Sequence, residues 1–124
     1  MGKPNSGIAV DGACSGNPGQ AEYKIVDIAT GKTLVSRKIG IATNNHAEFI
    51  GLCHALYAYP DQKIYSDSIT AISWVKNKKV NSKHPHPDVD RCIKMLEGLN
   101  KKVEIIKWDT RAYGEIPADF GRKK

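Results

Sequence analysis

A change of hydrophobic period at His46 narrows the fold more than any other feature of the sequence. Before it the chain reads as three β segments. Gly7–Asp11 carries apolar Ile8 and Val10 and is stopped by the Gly- and Pro-containing stretch Gly12–Gly19. Glu22–Ala29 and Thr33–Ile39 then flank a hairpin turn at Thr30-Gly31-Lys32. From His46 to Tyr59 the apolar residues Phe49, Ile50, Leu52, Cys53, Leu56 and Tyr57 instead fall on one helical stripe, which Pro60 ends.

Helix and strand signals alternate from there. Lys63–Ser66 reads as a strand, and Ser68–Lys76 as a helix on Ile69, Ile72 and Val75. A polar loop over Asn77–Pro87 precedes an amphipathic helix defined by Val89, Cys92, Ile93, Leu96 and Leu99. Val103–Trp108 is the last strand and Pro117–Arg122 a short terminal helix. The order βββαβααβα predicts a five-stranded mixed α/β sheet, an antiparallel meander extended by strands whose crossovers lay helices on its faces.

Length and composition bound what such a sheet can do. The 124 residues suffice for a single domain over residues 1–124, and 40% hydrophobic with 26% charged residues suits a packed, soluble protein. Nineteen Lys and Arg against thirteen Asp and Glu leave a charge of +6, which favours a polyanionic partner. No apolar run approaches the roughly 18–20 residues of a membrane span, and Met1–Gly7 lacks the apolar centre of a signal peptide. Cys14, Cys53 and Cys92 are odd in number and far apart, so neither a disulfide framework nor a Cys-based zinc site is expected. A reducing, cytoplasmic setting follows, with no obligate protein partner and a monomeric state.

Four acids stand at predicted element ends. Asp11 closes the first strand, where it either projects into a cleft or begins a turn. Glu48 lies at the edge of the helical stripe, yet Asn45-x-x-Glu48 also resembles a capping box. Asp67 follows a strand and precedes a helix, as a site residue or an N-cap would. Asp119, near the chain end, reads equally as a first-turn helix acid. Distant segments of a mixed sheet can converge on one rim, and an oxygen-only cluster there suits hard divalent cations such as magnesium or manganese. Two such ions about 4 Å apart can activate water and stabilise the leaving oxygen of a phosphodiester.

The motifs themselves resemble those of the type 1 ribonucleases H. The match runs through Asp11-Gly-Ala-Cys-Ser-Gly-Asn-Pro-Gly19, Thr43-Asn-Asn-His-Ala-Glu48, Tyr65-Ser-Asp-Ser68 and Ala118-Asp119, nearly the whole chain. The resemblance implies a ribonuclease H-like fold and an endonuclease that hydrolyses the RNA strand of RNA–DNA hybrids. It implies two Mg2+ ions, with Mn2+ as a substitute, held by Asp11, Glu48, Asp67 and Asp119, and products ending in 5′-phosphate and 3′-hydroxyl. Glu48 would also meet the RNA 2′-hydroxyl. The backbone of Gly12, Ala13 and Cys14 and the side chain of Asn17 would lie along the RNA strand. Thr43 and Asn45 would hold a DNA phosphate at a helix N-terminus, a role compatible with capping.

Two segments depart from the family pattern. Between Trp108 and Asp119 there is no counterpart of the family's loop His; Arg111 and Glu115 are candidate substitutes, and Glu115 is a weaker rival to Asp119 as ligand. The family's long basic protrusion is reduced to Lys76, Lys78, Lys79 and Lys83, with Lys78 and Lys79 as candidate phosphate contacts or a solvated loop. His84 and His86 lack a third ligand nearby, His46 and His54 take no site role, and Trp74, Trp108 and the tyrosines read as packing. The rivals to a hybrid ribonuclease are a nucleic-acid-binding module of the same fold with little activity, and a resolvase or integrase relative.

Overall fold

In the computed structural model, which describes residues 3–99 and 104–119, strands β1 (Ile8–Gly16), β2 (Gly19–Asp27) and β3 (Thr33–Ala42) form an antiparallel meander. Helix α1 (Asn44–Ala58) leads to strand β4 (Ile64–Ser66), then helices α2 (Ile69–Asn77) and α3 (Pro87–Glu97), strand β5 (Ile105–Lys107) and a short helix α4 (Thr110–Tyr113). The sheet order is β3-β2-β1-β4-β5, with β4 parallel to both β1 and β5. The mixed five-stranded sheet and the element order through β5 are as the sequence predicts, while the helix after β5 stands earlier than expected.

β1 is longer than its hydrophobic run. It continues through Gly12 in register with β2, from Ile8 opposite Asp27 to Gly16 opposite Gly19, and turns only at the cis Asn17–Pro18 bond. Asp11 is therefore a mid-strand residue facing Lys24 across the ladder, not a strand terminus. Gly12 serves packing, not termination: a Cβ there would stand 2.8 Å from both the Ala47 Cβ and the Glu48 amide nitrogen. Gly51 plays the matching part on the helix, where a Cβ would lie 2.8 Å from Val10 Cγ1. Two glycines thus let α1 sit directly on β1 and β2.

Side-chain alternation gives the sheet two apolar faces. Ile8, Val10, Tyr23 and Ile25 pack against Phe49, Leu52 and Leu56 of α1, with Trp74, Val75 and Leu96 closing the larger core. Ala9, Val26 and Tyr65 meet Trp108, Ile116 and Ala118 on the other face. Because α2 and α3 flank α1, that helix is buried almost all round from His46 to Leu56, more than a single stripe requires. Tyr57, expected on the stripe, is 74% exposed.

The ends differ from expectation in one place. No helix forms at Pro117–Asp119, where the chain makes a turn with Asp119 N–H donating to the Ile116 carbonyl at 2.8 Å. The remainder of the expected Pro117–Arg122 helix lies outside the described residues, as does Val103 of the last strand. The helical turn comes earlier, at α4, because Asp109 caps it by accepting from Ala112 N–H and buried Trp108 donates Nε1–H to the Gly114 carbonyl at 2.9 Å. Among the described residues no helix is long and apolar enough to cross a membrane.

Candidate active site

Local hydrogen bonding removes the structural alternatives for two of the acids. The N-cap of α1 is Thr43, whose hydroxyl accepts from His46 N–H at 3.1 Å while His46 Nδ1 accepts from Thr43 N–H. The capping box is thus Thr43 with His46, not Asn45 with Glu48. The N-cap of α2 is Ser68, which accepts from Ala71 N–H, so Asp67 is not the cap. Each carboxylate is left for another purpose. His46, given no role in the sequence reading, is a wholly buried part of the cap; a Thr-x-x-His spacing was the signal for it.

Three acids converge. Asp11 comes from the middle of β1, Glu48 from the second turn of α1, and Asp67 from the carboxyl end of β4, where parallel strands present their sites. Oxygen atoms from all three carboxylates lie within 4.8 Å of one another. Gly12 N–H donates to Glu48 Oε1 at 2.9 Å and orients that side chain toward Asp11. Asp119 stands outside this trio but close enough for its charge to act on Asp11 and Asp67. Its carbonyl accepts from Lys24 Nζ at 3.3 Å, which ties the end of the described chain to the strand beside Asp11.

Crowding of acids in a buried place disfavours their ionised forms. Burial is the main cause at Asp11, and with the charges of Asp67 and Asp119 it carries the carboxyl up to about 6. Glu48 is pushed well up by its burial and by its contact with Asp11. Asp67 is raised by burial, with Lys107 pulling the other way. Glu48 Oε2 is fully buried and has no hydrogen-bond partner among the described residues. An all-oxygen donor set that includes an unsatisfied carboxylate oxygen fits a hard divalent cation, which would supply the missing partner and relieve the repulsion.

The residues expected to meet nucleic acid fall in two places. Ala13 and Cys14 are buried in β1, and the Gly12 amide is already engaged by Glu48. Exposed Asn17 accepts from Asn44 N–H at 3.1 Å, and Cys14 Sγ lies within hydrogen-bond reach of Asn17 Oδ1, so the β1–β2 turn is joined to the start of α1. Thr43 and exposed Asn45 belong to that same junction. Lys78 and Lys79 are exposed at the other end of α2, where Lys78 adopts a left-handed conformation as its C-cap. His86 caps α3, accepting from Asp88 N–H and contacting the Ile39 carbonyl, so it serves the fold.

Comparison with known proteins points one way. A model of the RNase H family matches residues 4–109. The ribonuclease H of Trichodesmium erythraeum is 32% identical over 127 residues, covering 88% of this chain and 78% of that protein. That of Wigglesworthia glossinidia brevipalpis is 34% identical over 119 residues, covering 82% and 72%. The crystal structure of RNase H1 from Halobacterium salinarum superimposes with a TM-score of 0.54 at 27% identity, over 81% of this chain and 80% of that one. Asp119 lies beyond the matched residues, but the match runs through β1, α1 and β4, the elements that bring Asp11, Glu48 and Asp67 together. This chain therefore belongs to the RNase H family of nucleases.

Proposed function

We propose that the chain is an endonuclease that hydrolyses the RNA strand of RNA–DNA hybrids with two divalent metal ions, leaving 5′-phosphate and 3′-hydroxyl ends. The observation that carries this reading is the trio of carboxylates within 4.8 Å, one of them with a buried, unpartnered oxygen. Asp11, Glu48 and Asp67 would hold Mg2+, or Mn2+ in its place, with Asp119 as the fourth acid. Divalent cations at such a site supply Lewis acidity toward water and toward the phosphodiester.

The protein's own groups do the positioning. The Gly12 amide fixes Glu48, whose placement beside Asp11 suits contact with a ribose 2′-hydroxyl, the group that separates RNA from DNA. The junction of Asn17, Thr43 and Asn45 joins the β1–β2 turn to a helix N-terminus, where the positive end of the dipole favours a phosphate. Ala13 and Cys14 would contribute through their backbone, since their side chains are buried. Lys78 and Lys79 would add salt-sensitive phosphate contacts from the end of α2. Three free cysteines accord with a reducing cytoplasm, and we assign the enzyme there as a monomer.

The test is cleavage of an end-labelled RNA–DNA hybrid with Mg2+ or Mn2+, against single-stranded RNA, duplex RNA and duplex DNA. Calorimetric titration of the metal alone gives a readout independent of turnover. Hybrid-only cleavage of the RNA strand, lost with metal binding in Asp11→Asn, is expected. Hybrid binding without cleavage under either metal would replace this reading with a non-catalytic binding module.

A further inference from the structure

Cys53 on α1 and Cys92 on α3 are far apart in sequence, and the fold brings them together. Cys53 is 2% exposed in the main core, and Cys92 is half-buried against the same core. Both line a cavity of about 620 Å³ between β2, β3, α1 and α3, and none of Asp11, Glu48, Asp67 or Asp119 borders it. The volume lies in the range of small-molecule sites. The lining carries three cationic side chains, Arg37, Lys38 and Arg91, against one carboxylate, Asp88, which pairs with Arg91 at 3.0 Å. Its inner wall is apolar, through Ile39, Ile50 and Met95.

The two thiols are not equivalent. Each thiol acts on the other: the Cys53 thiol and Arg91 bring the Cys92 thiol down, while Cys92 and burial hold the Cys53 thiol up. Cys92 is also the more accessible of the two, and a thiolate is the attacking species in disulfide exchange, so Cys92 is the nucleophile and buried Cys53 the resolving partner. A hydrogen peroxide molecule would need neither the space nor the positive lining, whereas an organic disulfide bearing carboxylates uses both.

We propose that the cavity admits a small anionic disulfide to Cys92 and that exchange there ends in a Cys53–Cys92 cross-link between α1 and α3. In the first step the Cys92 sulfur attacks one sulfur of the disulfide. Its S–S bond breaks, one thiolate leaves and takes up a proton, and a mixed disulfide forms on Cys92. In the second step Cys53 attacks the Cys92 sulfur, its proton passing to the second departing thiolate. The protein loses two hydrogens, and one disulfide becomes two thiols. This site is independent of the nuclease reading.

The probe is glutathione disulfide added to the fully reduced chain, with acid quenching, alkylation and peptide mass mapping over time. A Cys53–Cys92 linked peptide is expected, preceded by a glutathione adduct on Cys92. The adduct should accumulate in Cys53→Ala and be absent in Cys92→Ser. Should Cys53→Ala fail to fold, the order of the two species in the wild-type time course decides the same point. The paired change Arg37→Ala with Arg91→Ala should slow glutathione disulfide several-fold while leaving neutral hydroxyethyl disulfide unaffected. An adduct confined to Cys14, a Cys92 adduct that never passes to Cys53, or equal sensitivity of both disulfides to the arginine changes would overturn the proposal.

Discussion

In the metal-free protein, Asp11→Asn should raise stability at neutral pH while removing activity. The folded structure carries the Asp11 carboxyl from 3.8 up to about 6, chiefly because it is buried. A raised carboxyl means the folded state binds that proton more tightly than the unfolded chain does. Asp11 therefore favours folding most when protonated, below about pH 4, and this contribution is lost as pH rises through about 6. The separation corresponds to about 3 kcal/mol, or roughly 10 °C in melting temperature for a domain of this size. Asparagine keeps the shape without the titration and can still donate to Glu48. The assay is urea unfolding in chelator from pH 4 to pH 8 for both proteins, followed by the same series with Mg2+. Without metal, the wild type should lose stability relative to the variant across this window. With Mg2+ the gap should close to within a few tenths of a kcal/mol, because binding to the folded state adds about 2.7 kcal/mol at a hundredfold excess over Kd. Parallel pH profiles for the two proteins in chelator would refute the reasoning.

Three further changes probe the frame around the carboxylates. Gly12→Ala puts a Cβ 2.8 Å from the Ala47 Cβ and from the Glu48 amide nitrogen, so it should cost about 1–3 kcal/mol in urea unfolding and displace Glu48 enough to depress cleavage. Thr43→Ala removes the N-cap of α1 and should cost about 1 kcal/mol, with Thr43→Ser restoring most of it in the same unfolding assay. Lys78→Ala with Lys79→Ala should weaken hybrid binding and flatten its dependence on salt by about one to two in log–log slope, measured by fluorescence anisotropy across a salt series. An unchanged slope would remove that loop from the interface.

Element order was legible because it depends on local periodicity: the Phe49–Leu56 pattern can only be a helix, and the turn at Gly31 can only join two strands. What the sequence concealed were features settled by residues distant along the chain. Gly12 looks like the end of a strand, yet its value lies in Ala47 and Glu48 packing over it. Asn45-x-x-Glu48 and Thr43-x-x-His46 are competing caps two residues apart, and the reciprocal bonds of Thr43 with a His46 buried beside Trp74 and His86 decide between them. Asp11, Glu48 and Asp67 were identifiable one by one from motif and position, but their mutual approach is a property of the sheet. Cys53 and Cys92 show the same limit, since nothing in their spacing announces that α1 and α3 bring them together.

The carboxylates do not hold themselves in place. Burial and mutual repulsion work against their ionised forms, and one oxygen of Glu48 has no hydrogen-bond partner among the described residues. Their positions come from elements with independent reasons to be where they are. β1 is fixed between β2 and β4, α1 is seated through Gly12 and Gly51 and capped by Thr43 with His46, and the turn after β4 is held by Ser66 Oγ accepting from Ser68 N–H. Strain confined to a few side chains on such a scaffold is the pattern expected where function works against stability. It also separates two kinds of lesion. Replacing an acid by its amide removes cation-binding capacity and leaves the frame intact or firmer, whereas filling the space above Gly12 leaves every acid present and moves one out of place. The first should abolish metal binding in a more stable protein, the second should weaken both together, and that difference distinguishes a scaffolded metal centre from acids that are neighbours by accident.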